Sequence, residues 1–400
     1  MILKDIVIRR IFDSRSEETL EVGVSDIYGK WFWGQVPSGK SRGTNEAAVV
    51  SFEKAKSIFA RQVRKKLINT DFDSLKDLDI YLISLDGTRT KERLGGNLML
   101  GLSLAFARAI AAERNHEVWQ MLNRNFFGGI IAKARPRIFS NVINGGAHAA
   151  NGLDIQEYMV VVKPGLRYSV SIARLVKLYK ELGAVLGRRV GGGVVPLGDE
   201  AGYAVRFRNN LEPLLLLESL IRKLRLSKDF SLGLDVAATN FHKKNSYFWE
   251  RRNIAPRKLI DIYAAYARRI KLLYSFEDPF AEDDFYGFGA LKHRFGRGLV
   301  VGDDLTTTNP FSIQRAVDDD LINAVIIKPN QIGTITETCQ AIKIAHGHGI
   351  KTIISHRSGE TGDDFIIHLA KAAGAFGVKI GAPARERMSK FNTLIRLWDK

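Results

Sequence analysis

The chain has 400 residues, 45% of them apolar, a composition that supports two or three domains of about 150 residues with buried cores and excludes disorder, fibres and miniproteins. One cysteine, Cys339, excludes a disulfide framework and a thiolate metal cluster and fits a reducing cytoplasm. A net charge of +17 favours anionic partners: nucleic acid, headgroups, or a small phosphorylated or carboxylated substrate.

Charges at Lys4 and Asp5 interrupt any signal-like apolar segment at the start. The longest apolar-rich stretch, Leu98 to Ala112, is broken by Arg108 and is shorter than the roughly 18 residues of a membrane span. A soluble, cytoplasmic protein is expected. Residues 6 to 36 alternate with period two through Leu20, Val22 and Val24, which predicts two or three antiparallel strands with a turn at Gly29. After the loop Pro37 to Gly43, residues 45 to 68 read as a helix with Ala47, Val50, Phe52 and Ala55 near one face, and residues 96 to 114 as another. Together they predict a small α+β domain ending near 126 to 134. The basic clusters Arg61 to Lys66, Arg222 to Arg225 and Arg251-Arg252 lack interleaved aromatics and read as solvated surface, so nucleic acid has no motif behind it.

The remainder has another rhythm, in which short apolar runs each end in a polar residue: Asp235, Glu277, Asp303, Lys328, His356 and Lys379. From Glu277 onward these ends are about 25 residues apart, the length of one βα unit. Glu157 and Glu200 are read as two further strand ends upstream. Eight strands predict a (β/α)₈ barrel in preference to an open doubly wound sheet. The run Gly191-Gly192-Gly193 reads as a loop, and no glycine-rich nucleotide motif occurs.

Residues at the carboxyl ends of barrel strands share one mouth. Asp235, Glu277 and Asp303 would converge there, and three carboxylates repel unless a cation neutralises them; all-oxygen ligation suits Mg²⁺. Lys328 and Lys379 would stand beside the metal, where a desolvated lysine is favoured as the neutral base. Arg357 and Ser358 offer a fork and a hydroxyl that suit a phosphate. Glu157 and Glu200 remain as candidate acids. His346 and His348, which mimic a metal site, read better as a helix end, and Asn144-Gly145-Gly146 as a tight turn.

Several strings go beyond such general readings. Val36-Pro37-Ser38-Gly39, Ser84-Leu85-Asp86-Gly87-Thr88, Asn141 to His148, Gly198-Asp199-Glu200, Ser275 to Asp284, Gly302 to Thr306, Lys328 to Thr334 and Ser355 to Thr361 together resemble the enolase family over essentially the whole chain. The short chain is most similar to archaeal members. The resemblance implies a small α+β domain over 1–132 and a catalytic barrel over 133–400. It implies reversible dehydration of 2-phospho-D-glycerate to phosphoenolpyruvate with two Mg²⁺ per active site, in glycolysis and gluconeogenesis; a Lys or His base with one or two Mg²⁺ is the known pattern of that superfamily. By the same resemblance, Asp235, Glu277 and Asp303 are ligands of the first Mg²⁺, Lys328 is the base at C2, and Glu200 is the acid for the 3-hydroxyl. Lys379 holds the substrate carboxylate, His148, Gln156 and Glu157 belong to a closing loop, and His356 lies in the pocket. Arg357 and Ser358 clamp the phosphate, and Ser41 reaches the second Mg²⁺. A homodimer or an assembly of dimers is implied as well.

The sequence departs from the family pattern in Ser16-Glu17-Glu18, in Lys40 and Arg42 around Ser41, and at Ala147, Asp154 and Ile380. Two other readings stand beside enolase. One is an enolase-like scaffold that holds RNA or an anionic surface; the other is a relative acting on an unphosphorylated acid, for which Arg357-Ser358 would have no purpose.

Overall fold

The computed structural model describes every residue except 41, 42, 44, 131–133, 150 and 400. Three antiparallel strands, β1 (Asp5–Phe12), β2 (Glu18–Ser25) and β3 (Trp31–Gln35), pair in the order β1-β2-β3. Leu20, Val22 and Val24 are buried as the alternation requires. The helix Gly96–Glu113 lies directly on this sheet. Two glycines permit the close approach: a Cβ at Gly34 would come within 2.6 Å of the Leu104 Cβ, and one at Gly101 within 2.5 Å of Val22. The helices Leu75–Asp86 and Val118–Phe126 complete this part of the molecule.

The helix expected over 45 to 68 starts only at Phe52, with Ser51 accepting from the Lys54 N–H as its cap, and includes a π-helical turn at Phe59–Val63. The described residues from 45 to 51 are held otherwise, because their backbone groups bond to distant segments. Ala47 N–H donates to Gln331 O at 2.7 Å, Ala48 N–H to Thr90 O at 2.6 Å, and Val50 N–H to the Asn97 side chain at 3.2 Å. Tertiary hydrogen bonds here outweigh helix propensity, which is worth only tenths of a kcal/mol per residue, about 0.7 at most for ordinary residues.

The second part is a closed eight-stranded barrel. Its strands are β4 (Arg137–Asn144), β5 (Glu157–Val162), β6 (Phe230–Asp235), β10 (Leu273–Glu277), β11 (Leu299–Gly302), β12 (Ala324–Ile327), β13 (Lys351–Ser355) and β14 (Gly377–Ile380). A short ribbon of β7 (His242–Lys243), β8 (Ser246–Trp249) and β9 (Arg252–Ile254) interrupts the series. The barrel lumen is filled by Phe139, Met159, Val161, Leu299, Val301, Ala324, Ile326 and Ile353. Helices pack outside it.

Two expected strand ends are corrected. Glu157 opens β5 instead of closing a strand, and Glu200 lies in a loop between Leu197 and Tyr203, which bridge one another. The strand overlooked is β4, whose buried Ser140, Asn141 and Asn144 disguise it among polar turn residues. β5 runs antiparallel to both β4 and β6, whereas the other barrel pairings are parallel. Its reversal is what brings the start of β5 to the rim where the other strands end, with Glu157 opposite Asp235.

His346 and His348 sit at the end of the helix Ile335–Gly347, as expected. Among the described residues no helix is long and apolar enough to cross a membrane. The amino end of that helix is also where the two parts of the molecule join: Asp79 accepts from Thr336 N–H at 2.9 Å, and the Ser103 hydroxyl accepts from Ile335 N–H at 3.1 Å. Burial, opposed by these hydrogen bonds, pushes the Asp79 carboxyl up to about 6.

The folded chain thus holds the Asp79 proton more tightly than the unfolded chain does. Stability from this group is fully present below the unfolded value of 3.8 and is lost as pH rises through about 6. Asp79→Asn keeps an acceptor for Thr336 and removes the buried charge. It is expected to stabilise the protein at pH 8 by up to about 3 kcal/mol, two pKa units at about 1.4 each, and to be neutral at pH 3.5. Urea unfolding at both pH values checks this; an equal effect at the two would contradict it.

Candidate active site

Lys379 lies within β14, beside Ser355 of β13, and its side chain points into the barrel mouth. Its ammonium is 2.7 Å from Glu277 Oε1, 2.8 Å from Asp235 Oδ2 and 3.1 Å from Glu157 Oε2, and the residue is only 3% exposed. Burial disfavours the ammonium, but Asp235, Glu157 and Glu277 outweigh it and hold its pKa well above the usual lysine value. One cation does not balance three anions. Glu277 and Glu157 are both raised well above the ordinary carboxylate range, by burial first and then by Asp235 and Glu200 respectively.

On the neighbouring wall Asp303 follows β11, and Lys328 follows β12. The Lys328 ammonium pairs directly with Asp303 Oδ2, while the Gln331 amide donates to Asp303 Oδ1 at 3.1 Å. Burial works to raise the Asp303 carboxyl, yet Lys328 and Lys379 bring it below its usual value. Burial lowers the pKa of Lys328, but the Asp303 charge outweighs burial and raises it. Behind them Asp278 accepts from the N–H groups of Asp303 (2.9 Å) and Asp304 (2.6 Å). Burial, then neighbouring Asp304 and Asp303, lift Asp278 well above the carboxylate range; burial and Asp303 take Asp304 to about 7.

Across the cleft the Glu200 carboxylate accepts from the Asn141 amide at 3.1 Å and lies 3.4 Å from His356 Nε2. His148 Nδ1 is 3.7 Å from Glu157 and 4.0 Å from Glu200. Both histidines are pushed below their usual value chiefly by burial. Burial would raise Glu200 too, but His356 and His148 outweigh it and keep the carboxyl well below its usual range. Gln156 is buried beside them, its amide oxygen 3.5 Å from the Asn240 amide.

The third wall is built by both parts of the chain. Arg357 Nη1 donates to Asn330 Oδ1 at 3.1 Å and Glu46 Oε2 at 3.2 Å, and Nη2 to Glu46 Oε1 at 3.5 Å. The Ser358 hydroxyl accepts from Lys40 N–H at 3.0 Å. Arg387, with no exposed surface, donates to Ser358 O at 2.9 Å and so fixes the backbone of this loop from behind. These walls line one cleft. Every described residue of the expected site borders it or touches one that does; Ser41 lies outside the described residues.

The donor chemistry fits a divalent cation. Hard carboxylate oxygens dominate, more carboxyl groups are buried than the two lysines could neutralise, and several of them are raised, by burial first and then by one another. Among the described residues, ligand atoms lying within 4.8 Å of one another belong to two groups, His148–Glu157–Glu200 and Asp278–Asp303–Asp304. Of the expected trio Asp303 is in one of them, while Asp235 and Glu277 pair with Lys379.

Sequence reasoning assigned no role to Glu46, Asn141, Asp278, Gln331 or Arg387. Their partners are distant in the chain, and only the strings that contain some of them hinted at a role.

The amino-acid sequence matches two family models, one for the enolase N-terminal domain over residues 3–122 and one for the enolase C-terminal TIM barrel domain over residues 133–400. The chain belongs to the enolase family. It is 37% identical to the enolase of Aeropyrum pernix, covering 97% of this chain and 92% of that one, and 36% identical to that of Sulfolobus acidocaldarius, covering 97% and 93%. An enolase of Ehrlichia ruminantium is 35% identical over 98% and 95%. Enolases are lyases, phosphopyruvate hydratases, and the likeness extends through both halves of this one without favouring the scaffold alternative.

In this enolase Gly381, next to Lys379, leaves room for Arg387: a Cβ there would meet Arg387 Nε at 2.7 Å and Glu200 O at 2.8 Å. Gly381→Ala is expected to cost about 1–3 kcal/mol in urea unfolding. Gly193→Ala, whose Cβ meets nothing within 4 Å, serves as the control. Equal stability of the two variants would refute the packing role.

Proposed function

We propose that this cleft interconverts 2-phospho-D-glycerate and phosphoenolpyruvate with two Mg²⁺ bound. The observation that carries the reading is that Lys328 and Glu200 line one cleft together with buried carboxyl groups and the Arg357-Ser358 pair. Removing a proton next to a carboxylate leaves two negative charges on one group, so the site must supply positive charge where they develop.

Asp235, Glu277 and Asp303 would hold the first Mg²⁺, and Ser41 would reach the second. Bound Mg²⁺ supplies Lewis-acid charge to the substrate carboxylate as it becomes dianionic. With Asp303 engaged as a ligand, Lys328 loses the partner that now retains its proton, and becomes the base for the C2 proton. Lys379 donates to the substrate carboxylate from the side of β14. Glu200, oriented by Asn141 and His356, delivers the proton to the departing 3-hydroxyl; an arriving trianion raises its pKa and so favours uptake of that proton. His148, Gln156 and Glu157 close around the substrate and exclude water, and Arg357 with Ser358 binds the phosphate.

The same reading includes a domain division at 132/133, a cytoplasmic setting, and a homodimer or assembly of dimers. Support for the division comes from the matched ranges and from the start of β4 at Arg137.

Absorbance at 240 nm, where phosphoenolpyruvate forms, tests the roles. Wild type with 2-phosphoglycerate is expected to give a Mg²⁺-dependent rise, which Lys328→Ala and Glu200→Gln reduce by about 10²–10⁴-fold. Arg357→Ala is expected to raise KM about tenfold to a hundredfold, the loss of a charge-assisted fork. A folded Lys328→Ala enzyme with wild-type turnover, or an unchanged KM in Arg357→Ala, would overturn the assignments.

A further inference from the structure

We propose that Lys40 is a further ligand for the substrate phosphate, held in reserve by an ion pair with Asp199. The proposal rests on the reading of Arg357 and Ser358 as the phosphate clamp.

Lys40 has its backbone fixed at that clamp. Ser38 and Gly359 exchange backbone hydrogen bonds of 2.8 and 2.9 Å, Pro37 O accepts from the Asn330 amide at 3.2 Å, and Lys40 N–H donates to the Ser358 hydroxyl. Gly39 lies so close to Arg357 that a Cβ would fall 1.7 Å from Nη2. From this anchored backbone the Lys40 side chain crosses to the opposite wall, where its ammonium is 3.0 Å from Asp199 Oδ2, one residue before Glu200. Both residues border or adjoin the cleft.

The pair is weak and the alternative partner is strong. The Lys40 side chain is 44% exposed and that of Asp199 27%, and such solvated pairs shift an equilibrium by about fivefold at most. Arg357, by contrast, already faces the buried Glu46 carboxylate on two of its nitrogens, so that one negative charge offsets its positive charge before any ligand arrives. A phosphate dianion seated between Arg357 and Ser358 therefore calls for another cation nearby. Lysine carries one on a flexible four-carbon stem, and rotation of that stem moves the ammonium without moving the backbone held by Ser358. Asp199 and the phosphate then compete for a single ammonium.

This competition has a signature that a bracing role lacks. Lys40→Met is expected to raise KM for 2-phosphoglycerate and the inhibition constant of inorganic phosphate about five- to tenfold at low ionic strength, with less effect as salt increases. Asp199→Asn, which frees the lysine, is expected to lower both constants about two- to fivefold. The double variant should match Lys40→Met. If the ion pair merely braces the loops, both single variants raise KM together; that result, or no change in either, overturns the proposal. Arg357→Ala is measured in parallel: an unchanged KM there removes the clamp reading and this inference with it, whereas a raised KM with the bracing pattern removes the inference alone.

Discussion

A single ammonium shared by three buried carboxylates is the constraint around which the barrel mouth is arranged. Lys379 holds Asp235, Glu157 and Glu277 together from three different strands, and it does so without balancing their charge. Burying ions costs several kcal/mol each before any attraction is counted, so a site like this lowers stability relative to an apolar one. Its persistence makes sense as function: raised carboxyls on Glu157, Glu277, Asp278 and Asp304 mark a place prepared for additional positive charge. The pairing of Lys328 with Asp303 follows from the same shortage. Each lysine stands against a buried acid, and in the proposed mechanism each changes partner.

The other end of the cleft depends on the join between the two parts of the chain. Glu46, Pro37, Ser38 and Lys40 come from the amino-terminal part, while Asn330, Arg357, Ser358 and Gly359 come from barrel loops. Arg387 supports those loops from within the core. Neither part could form this wall alone; of the bonds that replace helical ones over residues 45 to 51, that of Ala47 to Gln331 crosses the join, while those of Ala48 to Thr90 and Val50 to Asn97 stay within the amino-terminal part. The Asp79–Thr336 contact secures the same join farther out.

The strands from β6 onward were legible in the sequence because each is an apolar run buried on both faces and stopped by a charged or polar residue. Their spacing gave the barrel. The first two strands were not, for a definite reason: a reversed strand that begins at Glu157 and a forward strand that ends there look alike in one dimension. β4 carries the buried polar residues Ser140, Asn141 and Asn144 and so lacks the apolar signature. Asp235, Glu277, Asp303, Lys328, His356 and Lys379 could be picked from position alone and Glu157 and Glu200 as candidate acids, while His148, Gln156 and Ser41 entered through resemblance. The pairing of Lys328 with Asp303 is a property of the folded site, invisible in residue spacing. Glu46 and Arg387 stayed hidden for the same cause, since their partners lie 311 and 29 residues away.

The central claim is that the carboxylates of the mouth are short of positive charge and take a divalent cation to restore it. Thermal unfolding with and without Mg²⁺, in the absence of substrate, tests it most directly, because a ligand of the folded state alone raises the midpoint by mass action. Wild type is expected to unfold at a higher temperature as Mg²⁺ is added, in a saturable way, and Glu277→Gln to lose most of that response. A wild-type midpoint indifferent to Mg²⁺, or an equal rise in the variant, would contradict the account.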